Sequence, residues 1–319
     1  MSIDISVVIC CYNSASRIEP TLKYLALQEL DGLSCEVVLV DNNCSDDTVK
    51  ISINKWEEFG SPFPLRIIEE KEPGLSFARK AGVMEAKGEF LIFCDDDNWL
   101  DKDYCRIAFE IMQSDQSIGV LGGRGIAVSD VEFPFWFNSY QSGYAVGVQS
   151  IQSGFVDDRG YLWGAGMTIR KEELLRLYNS GFVSLLTGRI GQNLNSGEDS
   201  EICKWFLLVG KRLFYSEDLI YRHYIEATRL NKEYLKKLYD GFSDSVTIIY
   251  FYNDYVKCKK ADFKMSIYKI FLLHIRYILR KATTSQLIML ELNHKNKWIT
   301  YHIEASRIKE FIKSYQSNS

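Results

Sequence analysis

The chain has 319 residues, 46% of them hydrophobic and 25% charged. That composition needs no disulfide staple and allows one large α/β domain with an appendage, or two domains. Residues 1–230 carry 22 Lys and Arg against 34 Asp and Glu, whereas residues 231–319 carry 16 against 8; the acidic body argues against nucleic-acid binding, and the basic tail suits an anionic surface. The eight cysteines include no C-x-x-C pair and sit partly in apolar runs, so reduced, buried thiols in a cytoplasmic protein are expected rather than disulfides or a zinc site. The opening MSIDIS lacks a basic stretch and a long apolar run, so no signal peptide is expected. The late apolar segment IYKIFLLHIRYIL is interrupted by Lys269, His274 and Arg276, and no membrane span is expected.

In chain order, ISVVICC (5–11) reads as a buried strand. A helix follows over 15–29, with apolar residues Ile18, Leu22, Leu25 and Ala26 on one face. CEVVLV (35–40) is a second strand. Ser45 then precedes two acids, suggesting an N-cap for a helix to about residue 59. PLRIIEE (64–70) is a third strand. Ser76 is placed to cap a helix to about Lys87, ended by Gly88, and EFLIFC (89–94) is a fourth strand. Repeated β-α units with near-continuous apolar strands predict a mostly parallel sheet covered on both faces. GVLGGRGIAVS (119–129) reads as strand, turn, strand. FPFWFNSY (133–140) reads as an aromatic loop, and YLWGAGMTIR (161–170) as a strand with a small-residue gap. GEDSEICKWFLLVG (197–210) begins a helix with Ile202, Trp205, Phe206 and Val209 on its apolar face. From 231 onward the pattern is helical, which places a boundary near 230.

Three polar groups fall just beyond strand ends: Asn13, Asp41 and the run Asp95-Asp96-Asp97. In open α/β sheets that edge is where ligands bind. Three adjacent carboxylates repel one another, so either water solvates them at a turn or a cation sits among them. Asp95 and Asp97 share a face if the strand continues, and such a pair can hold Mg2+ or Mn2+ against a diphosphate. The plainer reading is an acidic turn before the next helix, with Asp101 capping it.

At this point the chain resembles the family 2 glycosyltransferases, which have a GT-A fold. The resemblance runs through VVICCYN (7–13), VLVDNNCSDDT (38–48), EPGLSFARKAGVMEAKGEFLIFCDDDNWL (72–100), WGAGMTIRKE (163–172), GEDSE (197–201) and RHYIEATRL (222–230). It implies a GT-A, Rossmann-like catalytic domain over 1–230: a nucleotide-binding half over 1–100 and an acceptor-binding half over 101–230. A helical C-terminal extension over 231–319 follows, and the resemblance does not cover residues 240–319. It also implies an inverting transferase using a nucleoside-diphosphate sugar (UDP-sugar favoured, GDP or dTDP as alternatives), with Mn2+ or Mg2+ as cofactor. The acceptor would be a hydroxyl of a saccharide or lipid-linked saccharide, as in surface polysaccharide or glycoconjugate synthesis.

Residue by residue, the resemblance places Tyr12, Asn13, Asp41, Arg79, Asp95 and Asp96 at the nucleotide. Asp97, with Asp95 and His223, would hold the metal. Trp163, Gly164, Ala165, Gly166 and Glu198 would flank the sugars, and Asp199 would be the general base. The chain departs from the family pattern at Cys10, Cys11 and Lys80. The local sequence leaves other roles open: Asp199 at a helix start suits a cap, Glu198 is an alternative base, and His223 between two tyrosines suits a structural histidine. The glycines near 164 do not form a dinucleotide fingerprint.

The stretch DFKMSIYKIFLLHIRYILRK (262–281) combines basic and apolar residues at helical spacing. It suits either peripheral contact with an anionic membrane at its cytoplasmic face or plain packing on the body. Rival functions are a metal-dependent nucleotidyltransferase, an isoprenoid synthase and a non-catalytic nucleotide-sugar binding module. CCYNSAS is not a phosphate loop, and the acids follow a strand rather than lie on a long helix.

Overall fold

The computed structural model describes residues 3–180, 184, 186 and 197–260, with side chains beyond 242 described only at 245, 249, 252, 253 and 256. The 262–281 stretch lies outside the described residues. The chain opens with strand β1 (Ile3–Cys11), helix α1 (Ile18–Ala26), β2 (Cys35–Asp41), α2 (Thr48–Glu58), β3 (Leu65–Glu69), α3 (Leu75–Glu85) and β4 (Gly88–Asp95). These β-α units follow from the apolar runs: Ile5, Val7, Val8 and Ile9 of β1, and Val37 to Val40 of β2, are all buried. Strands β1 to β4 pair in parallel, in the order β3-β2-β1-β4. The register sets Cys11 beside Asp41 and Cys10 beside Asp95, so the acidic strand ends share one edge.

The second half is mixed. Strand β5 (Asn98–Leu100), helix α4 (Tyr104–Ser114) and β6 (Ile118–Val128) lead through the short helix α5 (Phe137–Tyr140) and strand β7 (Gly154–Phe155) to β8 (Thr168–Arg170). Helices α6 (Lys171–Asn179) and α7 (Glu198–Leu208), strand β9 (Arg212–Tyr224) and helix α8 (Lys232–Lys260) complete the described fold. The full order is β3-β2-β1-β4-β8-β6-β9-β5, with β7 also on β9. β8 runs antiparallel to both β4 and β6, and β9 is parallel to β6 but antiparallel to β5 and β7. One core layer packs α1, α4 and the loop residue Phe63 on one face of the sheet, and the other packs α3, α6, α7 and α8. No described helix is long and apolar enough to cross a membrane.

Several local expectations change. Residues 118–128 form one strand instead of strand, turn, strand. The glycines there serve close packing: a Cβ at Gly123 would overlap the carbonyl oxygen of Leu219. β9, which the sequence pattern does not mark, is the longest strand of the sheet; its register on β6 jumps from Gly122–Tyr215 to Arg124–Ile220, so residues 216–219 bulge out. Most of 161–170 is irregular, with only Thr168–Arg170 in the sheet. Ser45 and Ser76 are not caps: α2 begins after Asp47 and α3 after Gly74, whose φ of 137° requires glycine. Asp101 precedes α4 but pairs with Arg222, and Asp103 takes the N-cap position.

Candidate active site

The strand ends open into a cleft of about 1090 Å³, enough for a nucleotide-sized ligand. It brings together Tyr12, Arg79, Asp95, Asp96, Asp97, Trp163, Gly164, Ala165, Glu198, Asp199 and His223. Asn13, Asp41 and Gly166 are not among its lining residues. Asn13 adopts φ 51° and its side-chain oxygen accepts from the Ser45 N–H at 2.8 Å. Asp41 accepts from the Cys44 N–H at 2.8 Å. Gly166, at φ 68°, offers its carbonyl to the Tyr104 hydroxyl at 2.7 Å.

Each of the three adjacent aspartates meets an arginine from a different part of the chain. Asp95 lies 3.8 Å from Arg79 of α3, Asp96 lies 2.7 Å from Arg17 ahead of α1, and Asp97 lies 3.0 Å from Arg229 beyond β9. Asp96 also accepts from the Ser14 hydroxyl, and its backbone carbonyl accepts from Thr21 Oγ1 at 2.9 Å. Burial and neighbouring Asp97 push the Asp96 carboxyl up from the usual carboxylate range, while Arg17 and Ser14 pull it back. Its side chain therefore ties the end of β4 to α1. Burial opposes the Arg229 charge, but Asp97, with Tyr234, Asp96 and Glu226, together outweighs it, and the guanidinium pKa is raised.

Asp97 and His223 converge because β5 pairs with β9, setting Asn98 opposite His223. His223 Nδ1 lies 2.7 Å from the Tyr144 carbonyl, and Nε2 points at Asp97 Oδ1, 3.5 Å away. A carbonyl can only accept, so Nδ1 carries the proton of that bond, and Nε2 is the nitrogen turned toward Asp97. That orientation is the one found behind metal-ligating histidines. Asp97 and His223 thus fit a hard or borderline divalent ion. Asp95 does not join them closely: among the described residues no three His, Cys, Asp or Glu side chains cluster at metal-ligand range.

Across the cleft stands the start of α7. Asp199 Oδ2 accepts from the Gly164 N–H at 2.9 Å and Oδ1 from the Ser200 N–H at 2.6 Å. Residue 164 must be small, since a Cβ there would lie 2.7 Å from Arg79 Nη2. Glu198 is buried and bonded to Arg79 Nη1 at 3.0 Å. Arg79 itself is buried over the Phe93 ring, between Glu198 and Asp95. Burial pushes the Cys10 thiol, at the cleft floor, up to about 12, so it is not a nucleophile at neutral pH.

Sequence reading misses Arg17, Asn42, Arg159 and Lys204 on the cleft wall, and also Tyr144, Tyr234 and Tyr239. Asn42 carries a structural load, donating to the carbonyls of Glu70 and Glu72 at 2.9 and 2.7 Å and accepting from the Gly74 N–H at 2.9 Å. It clamps the start of α3, and hence Arg79. Its position directly after Asp41 was the available signal.

A sheet whose acidic strand ends face a carboxylate-bearing helix start defines the GT-A glycosyltransferase architecture. The Glycosyl transferase family 2 profile matches residues 6–171, just over half of the chain, and the chain belongs to that family. Staphylococcus aureus TarS in complex with UDP superposes with a TM-score of 0.55 at 16% identity, over 99% of this chain and 91% of that one. GalNAc-T7 with UDP, GalNAc and Mn2+ gives 0.54 at 16% identity, over 70% of this chain and 44% of that one. Among curated proteins, glycosyltransferase GlyA of Streptococcus pneumoniae is 24% identical over 256 residues, 77% of this chain and 34% of its own. Poly(ribitol-phosphate) beta-N-acetylglucosaminyltransferase TarS of S. aureus is 29% identical over 132 residues, 39% of this chain and 22% of its own. The chain spans about a third or less of the length of these curated relatives. Family membership sets aside the nucleotidyltransferase and isoprenoid synthase readings.

Proposed function

We infer that the protein is an inverting glycosyltransferase that moves a sugar from a nucleoside-diphosphate sugar, UDP-linked by preference, to a hydroxyl of a saccharide or lipid-linked saccharide. The observation that carries the reading is Asp199, held by the Gly164 N–H on the cleft wall that faces Asp97 and His223. Structural relatives solved with UDP support the donor class. Tyr12 lines the nucleotide end and Asp41 lies at the same sheet edge, suited to the nucleobase. Arg79 sits between Asp95 and Glu198, near the phosphates. A divalent ion, Mn2+ or Mg2+, held by Asp97 and His223 would supply positive charge against the leaving diphosphate.

Asp199 takes the acceptor O–H proton, and the acceptor oxygen attacks the anomeric carbon. The bond from that carbon to the diphosphate oxygen breaks, its electron pair leaves with the nucleoside diphosphate, and the anomeric centre inverts. Glu198 is the poorer base, because its carboxylate is engaged by buried Arg79 at 3.0 Å. The acids needed for turnover are present, which disfavours a non-catalytic module.

The test pairs binding with turnover. UDP with Mn2+ at 100 times its dissociation constant should stabilise the protein by about 2.7 kcal/mol, and a chelator or Asp97→Ala should remove that shift. Asp199→Asn should keep the shift yet lower transfer by about 10²-fold or more. A protein that binds UDP with metal but shows the same turnover with Asn at 199 would rule out Asp199 as base.

A further inference from the structure

We propose that helix α8 carries the subsite for the acceptor's sugar ring, with Tyr239 as its open stacking ring and Tyr234 and Phe242 beside it. The family profile ends at residue 171, well before this helix. Tyr234, Leu238, Phe242, Ser245 and Ile249 recur at spacings of four, four, three and four, so they share one face of α8, and all five line the cleft. One end of that face stands at the ion site: Tyr234 stacks on Tyr144 with ring centroids 6.0 Å apart, and the Tyr144 carbonyl accepts from His223 Nδ1 at 2.7 Å. The other end stands at the base: a Cβ on Gly197, two residues before Asp199, would lie 3.3 Å from Ser245 Cβ. The helix covers about 16 Å from Tyr234 to Ser245, and Leu238, Tyr239 and Phe242 fall between. An attacking hydroxyl must lie between the ion-bound diphosphate and the group that takes its proton. The sugar that bears this hydroxyl therefore lies along the same stretch of helix.

The chemistry of the wall selects the occupant. Among the described residues, what α8 gives to the cleft from Tyr234 to Asn253 is uncharged, and so is the facing turn 142–145. The two pack closely: a Cβ on Gly143 would lie 3.4 Å from Phe242 and 3.6 Å from Leu238 and Tyr239. The charged residues of this part of the helix, Lys232, Glu233, Lys236, Lys237 and Asp240, do not line the cleft. Its unmatched-looking cations stand at the 159–163 turn, Arg159 over the Tyr161 and Trp163 rings and Lys204 against Gly160. A wall of aromatic rings set with tyrosine hydroxyls and the Asn253 amide matches a pyranose, whose C–H faces rest on a ring and whose rim of hydroxyls seeks hydrogen bonds. An alkyl chain would instead cover those polar groups with atoms that cannot bond to them. Tyr239 is the open ring of the set: it stays 42% exposed while Tyr140 and Phe242 meet it in T-shaped contacts at 5.8 and 5.4 Å. The inference rests on the glycosyltransferase reading and assigns the acceptor side of the same cleft.

The experiment is a saturation-transfer NMR titration of the full chain, loaded with UDP and Mn2+, against a panel of methyl hexosides and methyl N-acetylhexosaminides and their octyl counterparts. At least one methyl glycoside should bind the wild type, with saturation strongest on its ring C–H protons. Tyr239 lies outside the hydrophobic cores, so its truncation is compatible with folding. Tyr239→Ala should weaken that binding about tenfold, whereas Tyr239→Phe, which keeps the ring, should stay within about twofold of wild type. Lys237→Ala, on the helix but off the cleft, should match wild type. The UDP and Mn2+ thermal shift is read on the same samples. A wild type without that shift overturns the glycosyltransferase reading, and this inference with it. With the shift present, the inference alone is overturned if no methyl glycoside binds, or if Tyr239→Ala binds one like wild type. It is equally overturned if the loss in Tyr239→Ala appears only with the octyl glycosides, which would make the rings a site for a lipid chain.

Discussion

Three aspartates in a row are tolerable because each faces its own arginine: Arg79, Arg17 and Arg229. The three acids therefore divide their work, and substitution should separate them. Asp96→Asn removes the charge that holds Arg17 while leaving Asp95 and Asp97, so it should cost about 2–3 kcal/mol of stability, read from urea midpoints, with metal-dependent UDP binding kept. Asp97→Asn should do the reverse, losing the metal-dependent shift first. Glu198→Gln leaves Arg79 buried with half its counter-charge and should cost about 3 kcal/mol, without the selective loss of turnover expected of a base. Acid type and position were legible in the sequence, since a hydrophobic run ending in carboxylates is a local signal. The arginine partners were not, because a pairing between residues 17 and 96, or 97 and 229, leaves no trace in any local period. The same holds for Asp96, which the sequence groups with the nucleotide contacts and the fold turns toward Ser14 and Arg17.

The first four strands and their helices were readable because each strand is a short unbroken apolar run and each helix keeps a one-sided period. The later elements broke that logic. β9 carries Glu217 and Asp218 at its centre, which reads as a loop until the bulge at 216–219 is seen to lift them off the ladder. The Gly122-Gly123 pair reads as a turn, yet Gly123 is where β6 admits the Leu219 carbonyl of that bulge. Gly123→Ala should therefore force β6 and β9 apart and cost about 1–3 kcal/mol, seen as a lowered Tm. Asn42→Ala deletes three hydrogen bonds between the end of β2 and the segment 70–74 that leads from β3 into α3. It should cost about 1–3 kcal/mol and weaken UDP binding through a loosened Arg79, with no change in the proton-transfer step.

At the level of the whole molecule, α8 is part of the cleft wall, through Tyr234, Leu238, Tyr239 and Phe242. The boundary expected near residue 230 would lie between the turn at Ala227–Arg229 and the start of α8 at Lys232. Helix α8 also packs along α7, where the Tyr252 hydroxyl donates to buried Glu201 at 2.7 Å, and Tyr252 packs edge-on to Trp205. Glu201 lies one helical turn from Glu198. Tyr252→Phe should leave that carboxylate short of a donor and cost about 1–3 kcal/mol, whereas a chain cut at 230 should expose the Trp205 face and lose solubility before it loses sheet structure by circular dichroism.

The pairing of β5 with β9 bears on how the protein comes into being. Asp97 and His223 are brought face to face by a ladder whose two strands are separated by more than a hundred residues. Such long-range pairing forms late relative to local β-α contacts. A nascent chain that has made only its first four strands can already bury an apolar sheet, but on the proposed assignment it lacks His223 of the ion site and Asp199, the base. If the proposed function holds, reactivity toward an activated sugar is deferred until the last strand is in place, so a partly synthesised chain or an amino-terminal fragment would have no means of wasting donor.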